Sequence, residues 1–261
     1  MTKMDDVQLW RRYEPFGMRM GLGFWTPALV TFPFGTMTVG YPGDGAPMSC
    51  DNLAGWTPDA VIDAVEDAAR RWENRPEFRF SPSWPGDAGE FQKHLAARGY
   101  VKTRSMFSLV LENLGSAVAM PKSDCAVEVT RDSAAFESVF QDVFPTYLRI
   151  LPAMSQNVAS RRAVVESPVF LARDKGSPVG IVGACYEGEF GYMHSLGIIA
   201  DCRGRGIGKH LVRECLLRMR DAGVRYVTCN IAPDNEASLA VQKRAGYRVF
   251  SRFEIWGKAA A

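Results

Sequence analysis

The chain has no apolar run long enough to cross a bilayer, which takes roughly 18 residues or more. Its opening, Met1-Thr2-Lys3-Met4-Asp5-Asp6, lacks the charged stretch followed by apolar residues that marks a secretory leader. It also lacks metal-ligand spacing. The six cysteines, Cys50, Cys125, Cys185, Cys202, Cys215 and Cys229, make no CxxC and stand in no Cys/His register, so no zinc or other metal is expected. No block of Lys or Arg occurs, and the formal net charge is only +2, which argues against a nucleic acid partner. Together these absences point to a reduced, cytoplasmic protein that engages neither membrane nor nucleic acid.

What is present is ample apolar material, 47% of 261 residues, enough for two ordinary domains with cores of their own. Cys185, Cys215 and Cys229 fall in apolar segments and read as small core residues. The most informative stretch is Arg203-Gly204-Arg205-Gly206-Ile207-Gly208. An apolar strand from Tyr192 to Ile199 leads into it, and a helix repeating Ile207, Leu211, Cys215 and Met219 leaves it. Glycines at such a strand-to-helix turn let the backbone come close to a ligand, so the N–H groups of the helix start can converge on phosphate oxygens. The spacing excludes the two common nucleotide motifs. Glycines stand at every second position rather than as GxGxxG, and Gly208-Lys209 is followed by His210 rather than by Ser or Thr.

This segment resembles the GNAT acetyltransferases. Leu196-Gly197-Ile198 followed by Arg203 to Gly208 and Lys209-His210-Leu211 is similar to that family's pyrophosphate motif, an apolar strand leading to Arg/Gln-x-x-Gly-x-Gly/Ala. Downstream, Asn235-Glu236-Ala237-Ser238 through Lys243-Arg244-Ala245-Gly246-Tyr247 resembles the family's Asn-x-x-Ala/Ser helix ending in Lys/Arg-x-Gly-Phe/Tyr. The resemblance covers about residues 125 to 257. It implies an α/β fold, a mixed, mostly antiparallel sheet flanked by helices, and an acetyl-CoA-dependent N-acetyltransferase without a metal. By the same resemblance the N–H groups from Arg203 to Gly208 and Lys209 bind the pyrophosphate, and a backbone N–H within Leu196, Gly197 and Ile198 holds the thioester carbonyl. Asn235 either hydrogen-bonds the pantetheine arm or caps the following helix.

Along the chain, the small residues and proline from Gly115 to Asp124 suggest a linker. Beyond it we expect a strand at Ala126–Thr130 and a helix capped by Asp132 with Phe136, Val139, Phe140 and Val143 on its apolar face. A weaker helical region follows from Leu148 to Glu166. Strands at Pro168–Arg173 and Val179–Tyr186 come next, then the cradle strand, a helix over 206–222 closed by Gly223, a strand at Arg225–Ile231, a helix over 235–245 and a terminal strand near Val249–Trp256. The first half echoes this ending. Phe91–Leu95, Ala96-Ala97-Arg98-Gly99-Tyr100 and the apolar run Met106–Leu111 parallel Ala240–Tyr247 and Phe253–Trp256, which suggests two tandem units. Residues 1–114 are then a degenerate GNAT-like unit without a CoA site, because Trp56-Thr57-Pro58-Asp59 and a helix through Val61, Ala64, Val65 and Ala68 stand where the cradle would fall. Residues 125–261 are the catalytic unit. Trp25, Trp56, Trp72 and Trp84 are expected in the core or at an interface.

Moving an acetyl group to an amine needs a deprotonated amine, a polarised carbonyl and a proton for the leaving thiolate. His194 is the candidate base. It lies two residues before Leu196, on the same face at period two, with an unperturbed pKa of about 6.5; it reads equally as a hydrogen-bonded core histidine. Many members of the family carry an acidic tyrosine seven residues after the helix asparagine, and that position is Gln242 here, which cannot donate a proton in the same way. By resemblance Ser238 assists the thiolate instead, while Tyr247 reads as core. Glu187 and Glu189, with Tyr186 and Tyr192, either recruit a cationic amine or form a solvated turn. Cys202, beside the cradle, has a structural role. The expected partners are acetyl-CoA and an amine acceptor, for a monomer or homodimer. The other reading is a non-catalytic acyl-CoA-binding regulatory or scaffold protein.

Overall fold

A computed structural model describes residues 5–20, 28–40, 43–130, 132–145, 151 and 167–258. Its elements in chain order are α1 (Asp6–Met20), β1 (Ala28–Phe32), β2 (Gly35–Val39), β3 (Gly45–Cys50), α2 (Pro58–Arg71), β4 (Arg75–Phe80), α3 (Ala88–Ala97), β5 (Tyr100–Leu111), β6 (Ala126–Thr130), α4 (Ser133–Val143), β7 (Val169–Asp174), β8 (Ser177–Glu187), β9 (Phe190–Ile198), α5 (Ile207–Asp221), β10 (Tyr226–Ile231), α6 (Glu236–Arg244) and β11 (Arg248–Lys258). Among the described residues no helix is long and apolar enough to span a membrane. The chain divides into two compact units, Met1–Ser108 with Phe250–Ala261, and Leu109–Val249. The last strand thus belongs mostly to the first unit.

In the first unit the strands run β1-β2-β3-β4-β11-β5. β1/β2, β2/β3 and β4/β11 are antiparallel, and β3/β4 is parallel. A parallel pair needs a crossover, and α2 supplies it. Thr57 caps that helix by accepting the Ala60 N–H at 3.3 Å, Pro58 opens it, and Val61, Ile62, Val65 and Ala69 are buried. Phe78, Phe80, Trp84 and Phe91 pack with them, Phe80 and Trp84 at 4.3 Å between ring centroids. Helix α1 buries Leu9, Trp10, Tyr13 and Phe16 on one face, and Trp10 meets Phe250 at 5.7 Å. Of the tryptophans expected inside, Trp84 is in the core, whereas Trp56 and Trp72 are 39% and 44% exposed. Each stands at an end of α2, beyond the stripe that faces the sheet. Trp25 lies outside the described residues.

The second unit holds β10-β9-β8-β7-β6. Here β6/β7, β7/β8 and β8/β9 are antiparallel, and β9/β10 is parallel with α5 as its crossover. Asp132 caps α4 by accepting the Ala135 N–H at 3.0 Å, and Phe136, Val139 and Phe140 are buried. Helix α5 buries Ile207, Leu211, Cys215 and Met219 as the 3.6-residue period predicts, and Gly223 just past its end has φ 86°. Each of the two helices approaches β9 closely over a glycine. A Cβ on Gly197 would strike Val143 of α4, and one on Gly191 would stand 2.6 Å from Met219 Sδ of α5. The expected linker is partly folded: Asn113 accepts the Gly115 N–H, and a 3-10 turn over Leu114–Ala119 buries Leu114 and Ala117. The helical region expected over Leu148–Glu166 lies outside the described residues except for Leu151.

The echo between the halves is physical. Each of α3 and α6 ends at a glycine of positive φ, Gly99 at 80° and Gly246 at 96°. A buried tyrosine, Tyr100 or Tyr247, follows, and then a long strand.

Candidate functional site

Strand β9 carries a local departure from its period. His194 pairs with Gly183 of β8 and Gly197 pairs with Ile181, so β9 uses one more residue than β8 over this interval and the register shifts. The extra residue is absorbed at Ser195, which has φ 51°. Cross-strand partners share a face, and Ile181 and Gly183 are two apart. His194 therefore shares its face with Gly197. The same-face relation expected between His194 and Leu196 is overturned by the bulge.

Before the bulge, β9 has already parted from its other neighbour. The parallel register with β10 runs from Phe190↔Tyr226 to Tyr192↔Thr228, although the strands continue to Ile198 and Ile231. Leu196 and Ile198 on this diverging stretch are half-buried, and Gly197 is buried against α4.

The chain then turns through Arg203 to Gly208. Gly204 and Gly206 have φ 79° and 80°, and nothing lies within 4 Å of a Cβ built on either. Gly206 is the N-cap of α5 and offers no side chain, so the first-turn N–H groups of Ile207, Gly208 and Lys209 receive no side-chain cap. A Cβ on Gly208 would meet only Ile198 Cγ1 at 3.7 Å. The result is an open helix N-terminus with a glycine floor, carrying the partial positive charge that draws anions. Arg203 and Arg205 are exposed beside it. Arg203 Nε donates to the Ile198 carbonyl at 3.1 Å, and Arg205 pairs with Asp174 at 2.6 Å and lies 3.7 Å from the Cys202 sulfur. These contacts hold both guanidinium groups near the turn.

Helix α2 of the first unit is built differently. α2 also crosses over between parallel strands, but its N-terminus is closed by the Thr57 hydroxyl.

His194 is buried, 7% exposed, and its ring lies directly over Gly183. A Cβ there would stand 2.6 and 2.7 Å from the two ring nitrogens. Nδ1 is 3.0 Å from Ser195 Oγ, Nε2 is 3.6 Å from Cys185 Sγ, and Cys185 accepts from Ser167 Oγ at 3.4 Å. Tyr192 stacks on the imidazole at 6.1 Å. Burial lowers the imidazole's pKa to about 3 and raises that of the Cys185 thiol to about 12, so both are neutral around pH 7.

Asn235 caps α6, accepting the Ser238 N–H at 3.1 Å. Ser238 sits half-buried in the first turn. Gln242, on the same helix, is 3% exposed, and its Oε1 has no hydrogen-bond partner among the described residues. Tyr247 is buried as core, and burial holds its hydroxyl proton well above the usual range. Glu187 and Glu189 flank Gly188, at φ 56°, in the β8–β9 turn. Among the described residues no group of three His, Cys, Asp or Glu side chains is arranged to hold a metal.

Residues that sequence reasoning passed over are Gly183, Cys185 as a polar partner, Ser167 and Ser195.

Comparison with known proteins agrees with this geometry. Residues 135–247 match the acetyltransferase (GNAT) family. Over 81 residues the chain is 37% identical to the N-alpha-acetyltransferase RimI of Mycobacterium tuberculosis, covering 30% of this chain and 49% of that protein. The chain spans half or less of the length of the curated relatives it matches. A GCN5-related N-acetyltransferase from Kribbella flavida aligns with a TM-score of 0.69 over 99% of this chain and 98% of that one, at 12% identity. A tandem GNAT protein from the clavulanic acid biosynthesis pathway aligns with a TM-score of 0.65 over 90% and 85%, at 16% identity. The fold is GNAT-like, an α/β arrangement with a mixed, mostly antiparallel sheet flanked by helices.

Proposed function

We propose that the chain is an N-acetyltransferase that binds acetyl-CoA along β9 and the start of α5 and passes the acetyl group to a primary amine of a small molecule or peptide by direct attack. The observation that carries this is the uncapped N-terminus of α5 above Gly204, Gly206 and Gly208, immediately after a bulged strand that diverges from its parallel neighbour. In this reading the pyrophosphate takes the N–H groups from Arg203 to Lys209, with Arg203 and Arg205 as counter-charges. The thioester lies along Leu196, Gly197 and Ile198. Asn235 orders the start of α6, and Ser238 serves the departing thiolate.

The catalytic unit lies within residues 125–261, of which Phe250–Ala261 group with the first unit, and residues 1–114 form a degenerate GNAT-like unit without a CoA site. The Thr57 cap of α2, which takes up the helix start that α5 leaves open, supports that division. His194 acts in its neutral form. An imidazole whose pKa is about 3 accepts no proton near neutrality, so the amine loses its proton to solvent or to the leaving sulfur.

The test is isothermal titration with acetyl-CoA, then thiol release against a panel of amines that includes peptide N-termini. Wild-type binding that is lost in Arg203→Glu/Gly206→Glu supports the cradle. Failure of the wild type to bind removes the reading. The second reading, an acyl-CoA-binding regulatory protein, is favoured by the buried Gln242 in place of a proton-donating tyrosine. Tight binding with no thiol release from any amine would select it.

A further inference from the structure

Resting on the acetyltransferase reading, we propose that Ser195 is a catalytic residue: its hydroxyl, oriented by the Nδ1–H of His194, donates a hydrogen bond to the thioester carbonyl oxygen as negative charge develops there.

The first observation is backbone strain. Of the non-glycine residues with positive φ among those described, Glu73 and Lys175 lie in turns, and only Ser195, at 51°, lies within a strand. A left-handed L-residue costs energy that glycine would avoid, and such outliers mark positions where the side chain is needed. Ser195 lies on the stretch of β9 past Tyr192, where the register with β10 has ended.

The second is a one-way chain of donors. Ser167 Oγ donates to Cys185 Sγ, which leaves the thiol hydrogen to point at His194 Nε2. Nε2 is then the acceptor nitrogen, the ring hydrogen resides on Nδ1, and Nδ1–H donates to Ser195 Oγ at 3.0 Å. With its oxygen satisfied from behind, Ser195 has its own hydrogen to give forward. Burial keeps the thiol and the imidazole uncharged, and Gly183 and Tyr192 hold the ring in place from two sides. The chain of bonds is set before any substrate arrives, which is the condition under which such a donor is effective.

The step balances without another reactant. The amine lone pair forms the C–N bond, and the carbonyl π pair moves to the oxygen held by Ser195 O–H. When the carbonyl re-forms, the C–S pair leaves with the CoA sulfur, and the proton lost by the amine equals the one the sulfur gains. Ser195 keeps its proton throughout. His194 is a positioning residue.

The test uses the full chain with acetyl-CoA and the best amine of the panel. Ser195→Gly removes the hydroxyl and relieves the strain, so it folds at least as well as wild type. It should lose about 100-fold in kcat, as removal of an oxyanion donor does, with acetyl-CoA affinity by titration unchanged. His194→Ala should lose a similar factor, and His194→Asn, whose amide N–H can take the place of Nδ1–H, should recover part of it. Nitrogen-15 shifts of the wild type should show Nδ1 protonated and Nε2 bare. Turnover of Ser195→Gly within threefold of wild type, or a ring protonated on Nε2, would overturn the proposal while leaving the acetyltransferase reading standing. A wild type that neither binds acetyl-CoA nor releases thiol would overturn both.

Discussion

The contact between Gly183 and His194 can be tested by adding one methyl group. In Gly183→Ala the new Cβ would stand 2.6 Å from Nδ1 and 2.7 Å from Nε2, inside any van der Waals separation, so the ring must move. The backbone at Gly183 does not take a positive φ, so alanine itself is tolerated and even gains about 0.5–1 kcal/mol from the stiffer unfolded chain. Against that stands the overpacking cost, about 1–3 kcal/mol, and the loss of the 3.0 Å bond to Ser195, about 1 kcal/mol. The net expectation is a loss of about 1–3 kcal/mol. His194→Ala empties a buried site and should cost about 2–4 kcal/mol, the range of large-to-small core changes. In the double variant the methyl group occupies space the ring has vacated, so the clash disappears. The double variant should therefore be more stable than the sum of the singles by about 1–3 kcal/mol, the range of coupling between residues in contact. Urea unfolding of the four proteins of this cycle measures the coupling directly. Singles that add to within about 0.5 kcal/mol, the tolerance of independent sites, would refute the packing of the ring over Gly183 and the orientation of Ser195 that depends on it.

The same histidine predicts an acid limb of stability. Its folded pKa of about 3 lies below the unfolded value of about 6.5, so between these pH values the unfolded chain binds a proton that the folded chain refuses, and stability falls as pH drops. From pH 7 to pH 5 this contributes a loss of about 2 kcal/mol, fully absent in His194→Asn; equal pH dependence of the two proteins in urea would contradict it. At the cradle, Gly208→Ala separates stability from binding. Its Cβ meets nothing closer than 3.7 Å and it lies in the first turn of α5, so the unliganded protein should gain about 0.4–1 kcal/mol. The resembled motif takes glycine or alanine at this position and the new Cβ faces Ile198 at 3.7 Å, so acetyl-CoA affinity should stay within about threefold. A tenfold loss of affinity in titration would contradict the match of this turn to the motif.

The second unit was largely legible because its punctuation is chemical. Asp132 is a side-chain cap with a bond to Ala135, Gly223 and Gly246 have the positive φ that ends a helix, and the turn at Lys175-Gly176 closes a hairpin. Each of these needs a particular residue type, so the type betrays the place. The opening of the chain offers less. β1, β2 and β3 are short and interrupted by glycine and proline, and α1 contains Pro15 and Gly17, which read locally as helix breakers. The burial of Leu9, Trp10, Tyr13 and Phe16 overrides that local preference. That Phe250–Ala261 groups with the first unit is likewise a matter of which strands β11 joins, β4 among them, and no residue type announces it.

The cradle and the chemistry differ in the same way. Arg203 to Gly208 is visible in sequence because a phosphate-sized opening at a helix start needs several glycines close together. The Ser167–Cys185–His194–Ser195 chain is invisible, because Ser167 precedes β7, Cys185 and His194 stand on neighbouring strands, and only the folded backbone gives Ser195 its positive φ. Period-two reasoning even sent His194 to the wrong face, since it counts residues and a bulge adds one. A glycine at position 195 would have signalled the bulge and spared the fold about 1–2 kcal/mol. Serine hides it, and the hydroxyl gained for that cost ends one bond away from a buried imidazole. A strained residue with a satisfied oxygen and a hydrogen to give is a donor built before its acceptor arrives, which is why the strain at Ser195 is better explained by its side chain than by its turn.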